Sequence, residues 1–444
     1  MNEKSQGIQE IKEKIIERRS PTQSKEKEIK KISKEIMDLI EKELAIEAKP
    51  MIVGSVSKGT FLENPDIDIF VKFPLSFSRD EMEERILDLG EKILEDTKEK
   101  YAEHPYIFGK YDGYEVDIVP CYDIEDISQM KSAVDRTPFH TEYIKENMGE
   151  KEKKEAKVLK AFLKGIGAYG AEAKVWGFSG YLCELLILRY GSFEELIKKA
   201  KEWKTGKKIE MVEGKKEFDD PLIVIDPIDL KRNVASPVST EKFGLFVLSS
   251  KRFLEEPKMS FFFPEERKIK SKNSLSKIIE KRNTDLMGIK IQKPDVVEDN
   301  LYPQVQKCER KLTHQLSHHD FNILHSDHFV KEGEILFLME VETSKLPNIK
   351  KHKGPPVWVK NSEDFTDKYG EEVYLEEDRL WVDKKRKYND LEQTTISISE
   401  KLSLGSDIDQ YFPDKCKILR EKELIKKEKR SLTEFFDRRF PWEL

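Results

Sequence analysis

Cysteine is scarce in this 444-residue chain. The four, Cys121, Cys183, Cys308 and Cys416, lie far apart and form no CxxC pair. That spacing excludes the common zinc and thiol-redox frameworks and predicts free thiols in a reducing compartment. Long apolar runs are lacking too. No stretch approaches the ~18 residues of a spanning helix, and the opening MNEKSQGIQEIKEKIIERRS has no apolar core of the secretory type. A cytoplasmic location with no membrane association is expected. There is no internal repeat or long low-complexity tract, and neither charge sign dominates. Lys and Arg number 80 against 86 Asp and Glu, for a formal net charge of −6. Global charge therefore does not announce a nucleic-acid binder, although a local basic face is compatible with it.

What is present is charge in quantity. Charged residues make up 37% of the chain, as do hydrophobic ones, and the latter cluster in clear runs. A folded protein of two to four domains with an extensive charged surface is predicted.

The informative stretch is residues 53–73, VGSVSKGTFLENPDIDIFVKF. Ile67 to Phe73 is apolar, β-branched and aromatic, the pattern of a buried strand. Side chains two apart on a strand share a face, so Asp66 and Asp68 project together while Ile67 and Ile69 point away. Two carboxylates at the start of an apolar strand repel each other and lose hydration, which is tolerable mainly with cations between them. Taken alone, the pair also fits a turn at Asn64-Pro65-Asp66 with Asp68 at the surface. The preceding Gly54-Ser55 alters that reading. A Gly-Ser, a short helix and then [DE]xD on a strand resemble the nucleotidyltransferase superfamily typified by DNA polymerase beta. Gly54 lets the backbone approach a phosphate, Ser55 and the following amides can donate to its oxygens, and Lys58 adds a positive charge one turn on.

Around this stretch, helical periodicity covers 8–18, 24–46 and 80–100, with Ile29, Ile32, Ile36, Ile40 and Leu44 in one stripe. Asp112-Gly113 predicts a hairpin between 106–111 and 115–120. On its second arm Asp117 opposes Val116 and Ile118. Alone it reads as a solvent-facing strand residue; beside the DxD strand it supplies a third carboxylate, and three on two strands can hold two Mg²⁺ ions. Further helices are predicted at 150–165, 181–190 and 239–256, and a short strand ends at Asp226-Pro227. FFFPEE at 261–266 marks a boundary. Beyond it, helices (274–283, 301–318) alternate with strands (285–292, 320–330, 334–342, 356–359, 379–383), while 345–358 reads as surface turns. Three domains are expected: 1–145 catalytic, 146–265 largely helical and binding nucleotide and primer, and 266–444 binding RNA. The fold class is α+β multidomain.

The strings RTPFH (136–140), FSGYLCELL (178–186), DPIDLKRNVA (226–235) and KPDVVEDNLYPQ (293–304), with AEHPY (102–106) and EVDIVPCY (115–122), are similar to those of the archaeal, class I CCA-adding enzymes. The resemblance runs in order from about residue 20 to 310 and thins beyond. It implies a polymerase beta-like head with a mixed sheet, a helical central domain and C-terminal α+β modules that bind RNA. It also implies template-free addition of C, C and A to the tRNA 3′ end from CTP and ATP, with Mg²⁺. Metal ligation falls to Asp66, Asp68 and Asp117; the family often has glutamate at the first of these. The implied nucleotide site comprises Ser55, Lys58, His140, Lys160, Tyr169 and Arg232, with Gly54, His104 and Thr137 as secondary candidates. Arg232 matches the base-reading arginine, whose guanidinium can donate to the Watson–Crick edge of C or A. The implied partners are the acceptor and TΨC arms of tRNA, and a second copy of the chain in a homodimer.

Lys160 alone reads equally as a solvated helix lysine, and Tyr169 as a core tyrosine. His314 and His318 are spaced i, i+4, but Gln315 stands where a zinc HExxH has glutamate, so His314, His318, His319, His325 and His328 read as a polar helix end and loop. Trp358, Lys360, Trp381 and Lys384–Tyr388 could bind RNA by phosphate contact and stacking or form an exposed strand pair. Two other functions remain open: another RNA 3′-nucleotidyltransferase, of the poly(A) polymerase or oligoadenylate synthetase kind, and a non-catalytic RNA-binding protein. Retention of all three carboxylates argues against the second.

Overall fold

The computed structural model describes residues 3–44, 48–101, 105–213 and 216–444. The chain forms two compact units, one from the residues up to Glu266 together with Arg439–Leu444, the other from Arg267–Arg438.

The first unit opens with helices α1 (Glu3–Arg19) and α2 (Gln23–Leu44). Ile29, Ile32, Ile36 and Ile40 of α2 are buried in one stripe, as their spacing predicts. Strand β1 (Lys49–Ile52), the single-turn helix α3 (Gly54–Lys58) and strand β2 (Ile67–Phe73) follow. Helix α4 (Arg79–Ile93) starts at a capping box in which Ser78 and Glu81 satisfy each other's backbone amides. The helix expected over 80–100 ends there. Glu95–Tyr101 is instead a strand, β3, paired antiparallel with β4 (Pro105–Tyr111). Its Glu, Lys and Thr side chains suit a sheet edge, where alternation of apolar residues is not required. The Asp112-Gly113 turn leads into β5 (Tyr114–Tyr122), both residues at positive φ.

These strands make one mixed sheet of order β1-β2-β5-β4-β3. Its two central members, β2 and β5, run parallel, and the other pairings are antiparallel. One face packs on α2 and α4 through Ile67, Ile69, Ile118, Met82 and Ile86. The opposite face at the start of β2 is left for polar groups.

Helices α5 (Arg136–Asn147), α6 (Glu150–Ile166), α7 (Gly180–Tyr190) and α8 (Phe193–Ala200) continue the unit. A two-stranded parallel ladder of β6 (Lys207–Ile209) and β7 (Leu222–Val224), then α9 (Thr240–Glu255), complete its helical part. Phe162 sits at the centre of that core, its ring against those of Phe193, Phe246, Phe253, Phe261 and Phe262. The returning segment adds Trp442, stacked 4.9 Å from Phe261.

The second unit has α10 (Lys272–Arg282), β8 (Asp285–Gln292), α11 (Glu298–His318), β9 (Ile323–Val330) and β10 (Glu334–Val341). It continues through β11 (Ile349–Pro356), α12 (Asn361–Tyr369), β12 (Val373–Glu376), β13 (Arg379–Lys385), α13 (Leu391–Ser399), β14 (Lys417–Arg420), α14 (Glu421–Lys427) and α15 (Lys429–Phe436). Two sheets result, of orders β14-β8-β10-β9 and β11-β13-β12. The stretch 345–358, expected as turns, contains β11, and the strand expected at 356–359 is not there. The sequence IKKHKGPP offers no apolar face to count. His314 and His318 lie on α11, His319 just beyond it, and His325 and His328 on β9.

Candidate active site

The parallel register of β2 and β5 sets Asp68 directly beside Asp117. Two residues outward on the same face, Asp66 and Glu115 interact with each other, so Asp66-Ile67-Asp68 and Glu115-Val116-Asp117 form a two-by-two grid of carboxylates. Ile67, Val116, Ile69 and Ile118 are fully buried on the other face, which fixes the direction of the acids.

The loop before the strand is built around the same group. The Val53 amide donates to the Asp68 carbonyl at 3.0 Å. Gly54 follows at φ 65, and a Cβ there would collide with the Asp68 carboxylate. Glycine is therefore required twice at this position, for its backbone angle and for space. Ser55 is half-buried in the first turn of α3.

The grid is short of positive charge. Burial, then the Asp117 and Asp66 charges, push the Asp68 carboxyl up to about 7. Burial and the Asp66 charge outweigh Lys100 and take Asp117 to about 6. Asp66 is open to solvent on one side, yet the protein crowded around it and the Glu115 charge raise it as well. Asp117 Oδ1 is buried without a hydrogen-bond partner among the described residues. Among the described residues, no three His, Cys, Asp or Glu side chains close on one point as they stand. An oxygen-only, anionic, under-neutralised donor set of this kind fits a hard divalent cation.

The lysines behind the grid are arranged differently. Lys58 and Lys160 are both buried and share one carboxylate, Glu184 of α7, at 2.9 and 2.8 Å. Lys160 also donates to the Thr60 carbonyl and hydroxyl, and Thr60 donates to Glu184 at 2.5 Å. Burial works to raise the Glu184 carboxyl, but the Lys160 and Lys58 charges override it and hold it at about 2. Tyr169 stands beside this cluster; burial raises its phenol to about 12 against the pull of Lys160.

A second buried acid, Asp226, gathers the remaining candidates. His140 Nε2 lies 2.8 Å from Asp226 Oδ2, and Arg232 Nη1 donates to the same oxygen at 2.9 Å. Tyr181 and the Ile228 amide donate to Oδ1 at 3.2 and 3.0 Å. The His140 and Tyr181 rings stack at 4.0 Å. Burial opposes ionisation of Asp226, yet His140, the Ile228 amide and Arg232 keep it at about 2. Burial lowers His140 despite the acid beside it. Thr137 is half-buried one turn before His140 on α5, its carbonyl accepting from Thr141. His104 lies outside the described residues.

The structure thus gathers the sequence-derived residues into three groups: the grid, the Glu184 cluster and the Asp226 cluster. Three anchors escaped the sequence reading. Glu184 had a visible signal, since it is the one acid in the apolar run YLCELLILRY. Glu115 repeats the i, i+2 acid pattern of the first strand. Asp226 stood in a quoted motif, but nothing in its spacing pointed to His140, 86 residues away.

Profiles of known families match the chain in three segments. The nucleotidyltransferase domain covers residues 29–140, the second domain of tRNA nucleotidyltransferase 154–263, and the C-terminal domain of the CCA-adding enzyme 282–421. The chain is 36% identical to a CCA-adding enzyme of Methanosarcina mazei over 94% of its own length and 95% of that relative. It is 39% identical to one of Methanosarcina barkeri over 81% and 82%. A crystal structure of the Cid1 poly(U) polymerase superposes with a TM-score of 0.45 at 12% identity, over 56% of this chain and 94% of that one.

Proposed function

The chain belongs to the CCA-adding enzymes, and we propose that its carboxylate grid and two anchored clusters add C, C and A in turn to the 3′ end of tRNA. The observation that carries this reading is the side-by-side placement of Asp68 and Asp117 behind the Gly54 loop.

CTP and ATP are the inferred donors. The tRNA 3′-hydroxyl oxygen gives up its proton to solvent and forms a bond to the α-phosphorus, and the bond from that phosphorus to the bridging oxygen breaks, releasing pyrophosphate. Asp66, Asp68 and Asp117 would hold divalent ions; their oxygen donors favour Mg²⁺, and the family reading supports two. Bound there, such ions supply charge neutralisation and activation of the hydroxyl. The protein's own part is placement. Gly54 lets the backbone come close to the triphosphate and Ser55 offers a hydroxyl. Lys58 and Lys160, two cations against the single charge of Glu184, leave a net positive field for it. Tyr169 stands with them as a rigid donor.

Arg232 uses Nη1 on Asp226, and we assign its other donors to the edge of C or A. The Asp226 contact holds the guanidinium in one orientation, which is what a hydrogen-bonding specificity device needs. His140 is held on the same acid, and Thr137 stands one turn before it on α5. In the second unit, β11 and β13 carry Lys351 and Lys353 over the Trp381 ring at 4.5 and 6.0 Å, and Trp358 is 71% exposed. We assign these cations and rings to the tRNA acceptor and TΨC arms. A homodimer rests on the family resemblance, and light scattering checks it.

The test is incorporation of labelled CTP or ATP into tRNA ending before CCA, after C, or after CC. CTP use on the first two substrates and ATP use on the third alone are expected. Unlimited addition of A to arbitrary RNA would instead assign a poly(A) polymerase-like activity.

A further inference from the structure

The carboxylate grid is under-neutralised but not wholly without a cation. In the five-stranded sheet, Asp117 of β5 pairs with Phe108 of β4, and Phe108 pairs with Lys98 of β3. Lys100 is two residues on from Lys98, so it shares that face and reaches diagonally across the sheet. Its Nζ lies 3.6 Å from the Phe108 ring centroid and 3.6 Å from Asp117 Oδ1. Its charge is felt by all three of Asp66, Asp68 and Asp117.

Two features set this lysine apart from Lys58 and Lys160. Its contact with Asp117, at 3.6 Å, is an ion pair too long for a good hydrogen bond. Its side chain is 40% exposed, against 7% and 2% for Lys58 and Lys160. A buried lysine locked by three hydrogen bonds is fixed. An ammonium held, among the described residues, by a long ion pair and a ring face can leave, and the ring keeps a place for it once the carboxylate is taken.

We propose that Lys100 is the resident counter-cation of the carboxylate grid, the group that an incoming divalent ion must displace from Asp117. This rests on the reading that the grid binds such an ion. Lys100 is then a positioning residue: it limits repulsion among the carboxylates in the free enzyme and competes with the metal for Asp117.

The test is calorimetric titration of Mn²⁺ and of Mg²⁺ into the full-length protein, stripped of metal and free of nucleotide and tRNA. Wild type, Lys100→Met, Lys100→Arg and Asp117→Asn are compared. Removing one competing charge near the surface should tighten ion binding by about tenfold in Lys100→Met. Lys100→Arg should stay within about twofold of wild type. Lys100→Gln, which keeps a polar chain on the edge strand, gives the same comparison if Lys100→Met does not fold. Unchanged or weaker binding in the neutral variants, with binding still lost in Asp117→Asn, overturns this proposal alone. Equal binding by wild type and Asp117→Asn overturns the grid as the ion's site, and the proposal with it.

Discussion

The carboxylate grid and the Glu184 cluster are joined by one short helix, Gly54 lying against Asp68 and Lys58 on Glu184, and treat carboxylate charge in opposite ways. Glu184 has two lysines and a threonine for one carboxylate and sits at about 2. Asp68 and Asp117 have each other, one loosely held lysine and, at Asp68, the charge of Lys58 that Glu184 already pairs, and are driven to about 7 and about 6. Burial pushes all three carboxyls upward; the supply of cations decides the outcome. The difference separates a field the chain completes for itself from one it leaves open. Where the chain supplies its own counter-charge, it fixes the side chains in place. Where it withholds counter-charge from buried acids, it leaves a place for charge from outside.

The strongest way to break that comparison is Asp117→Asn. Nucleotide incorporation should fall by about 10³-fold or more, while tRNA binding by filter retention stays near wild type. An active variant would mean that the grid is no different in kind from the Glu184 cluster. On the other side, Glu184→Ala strands Lys58 and Lys160 in the interior and should cost about 3–5 kcal/mol, read from denaturant unfolding. A loss below about 1 kcal/mol would show that the cluster is not held by its charges.

Acid unfolding sharpens the contrast through its sign. A carboxyl held below its ordinary value contributes stability that is present above that value and lost as pH falls through the native one. Glu184, ordinarily 4.5, and Asp226, ordinarily 3.8, both lie at about 2. Their contribution, about a few kcal/mol together, should drain away between about pH 4.5 and pH 2. Asp226→Asn should flatten the urea midpoint over that window, and an unchanged slope would contradict the assignment.

The grid has the reverse sign. A carboxyl raised above its ordinary value makes the native state hold a proton that the unfolded chain has released, so stability declines as pH rises from about 4 towards 7. Asp68→Asn removes that penalty. In EDTA at neutral pH it should raise the melting temperature by about 2 °C, roughly 1 kcal/mol, while abolishing activity. A fall in melting temperature would place Asp68 with the structural acids.

Much of the first unit could be read from residue order. The Ile29 to Ile40 stripe, the apolar run of β2 and the Asp112-Gly113 turn each carry a local period or a turn chemistry, and each appears where expected. The three aspartates share a face because two apolar strands leave their acids a single side to project from. Elements without an apolar face were harder. β3 and β11 are stretches of Glu, Lys and Thr or of Lys and His, held by backbone pairing that no side-chain pattern reports. The anchors were harder still. Lys58 and Lys160 invited a phosphate-binding role from their charge, and only the fold shows that Glu184 holds both, 126 and 24 residues away.

One feature of the fold bears on the order in which the molecule is made. Trp442 stacks on Phe261, and its carbonyl accepts from Ser260 Oγ at 2.9 Å. The aromatic core of the first unit therefore includes residues that leave the ribosome only after all of Arg267–Arg438 has been synthesised. The second unit is continuous in sequence and has cores of its own, so it can finish folding while the first still waits for its last side chain. Translation that stops inside the second unit leaves the Phe261 face uncovered, a hydrophobic mark by which an unfinished chain differs from a finished one.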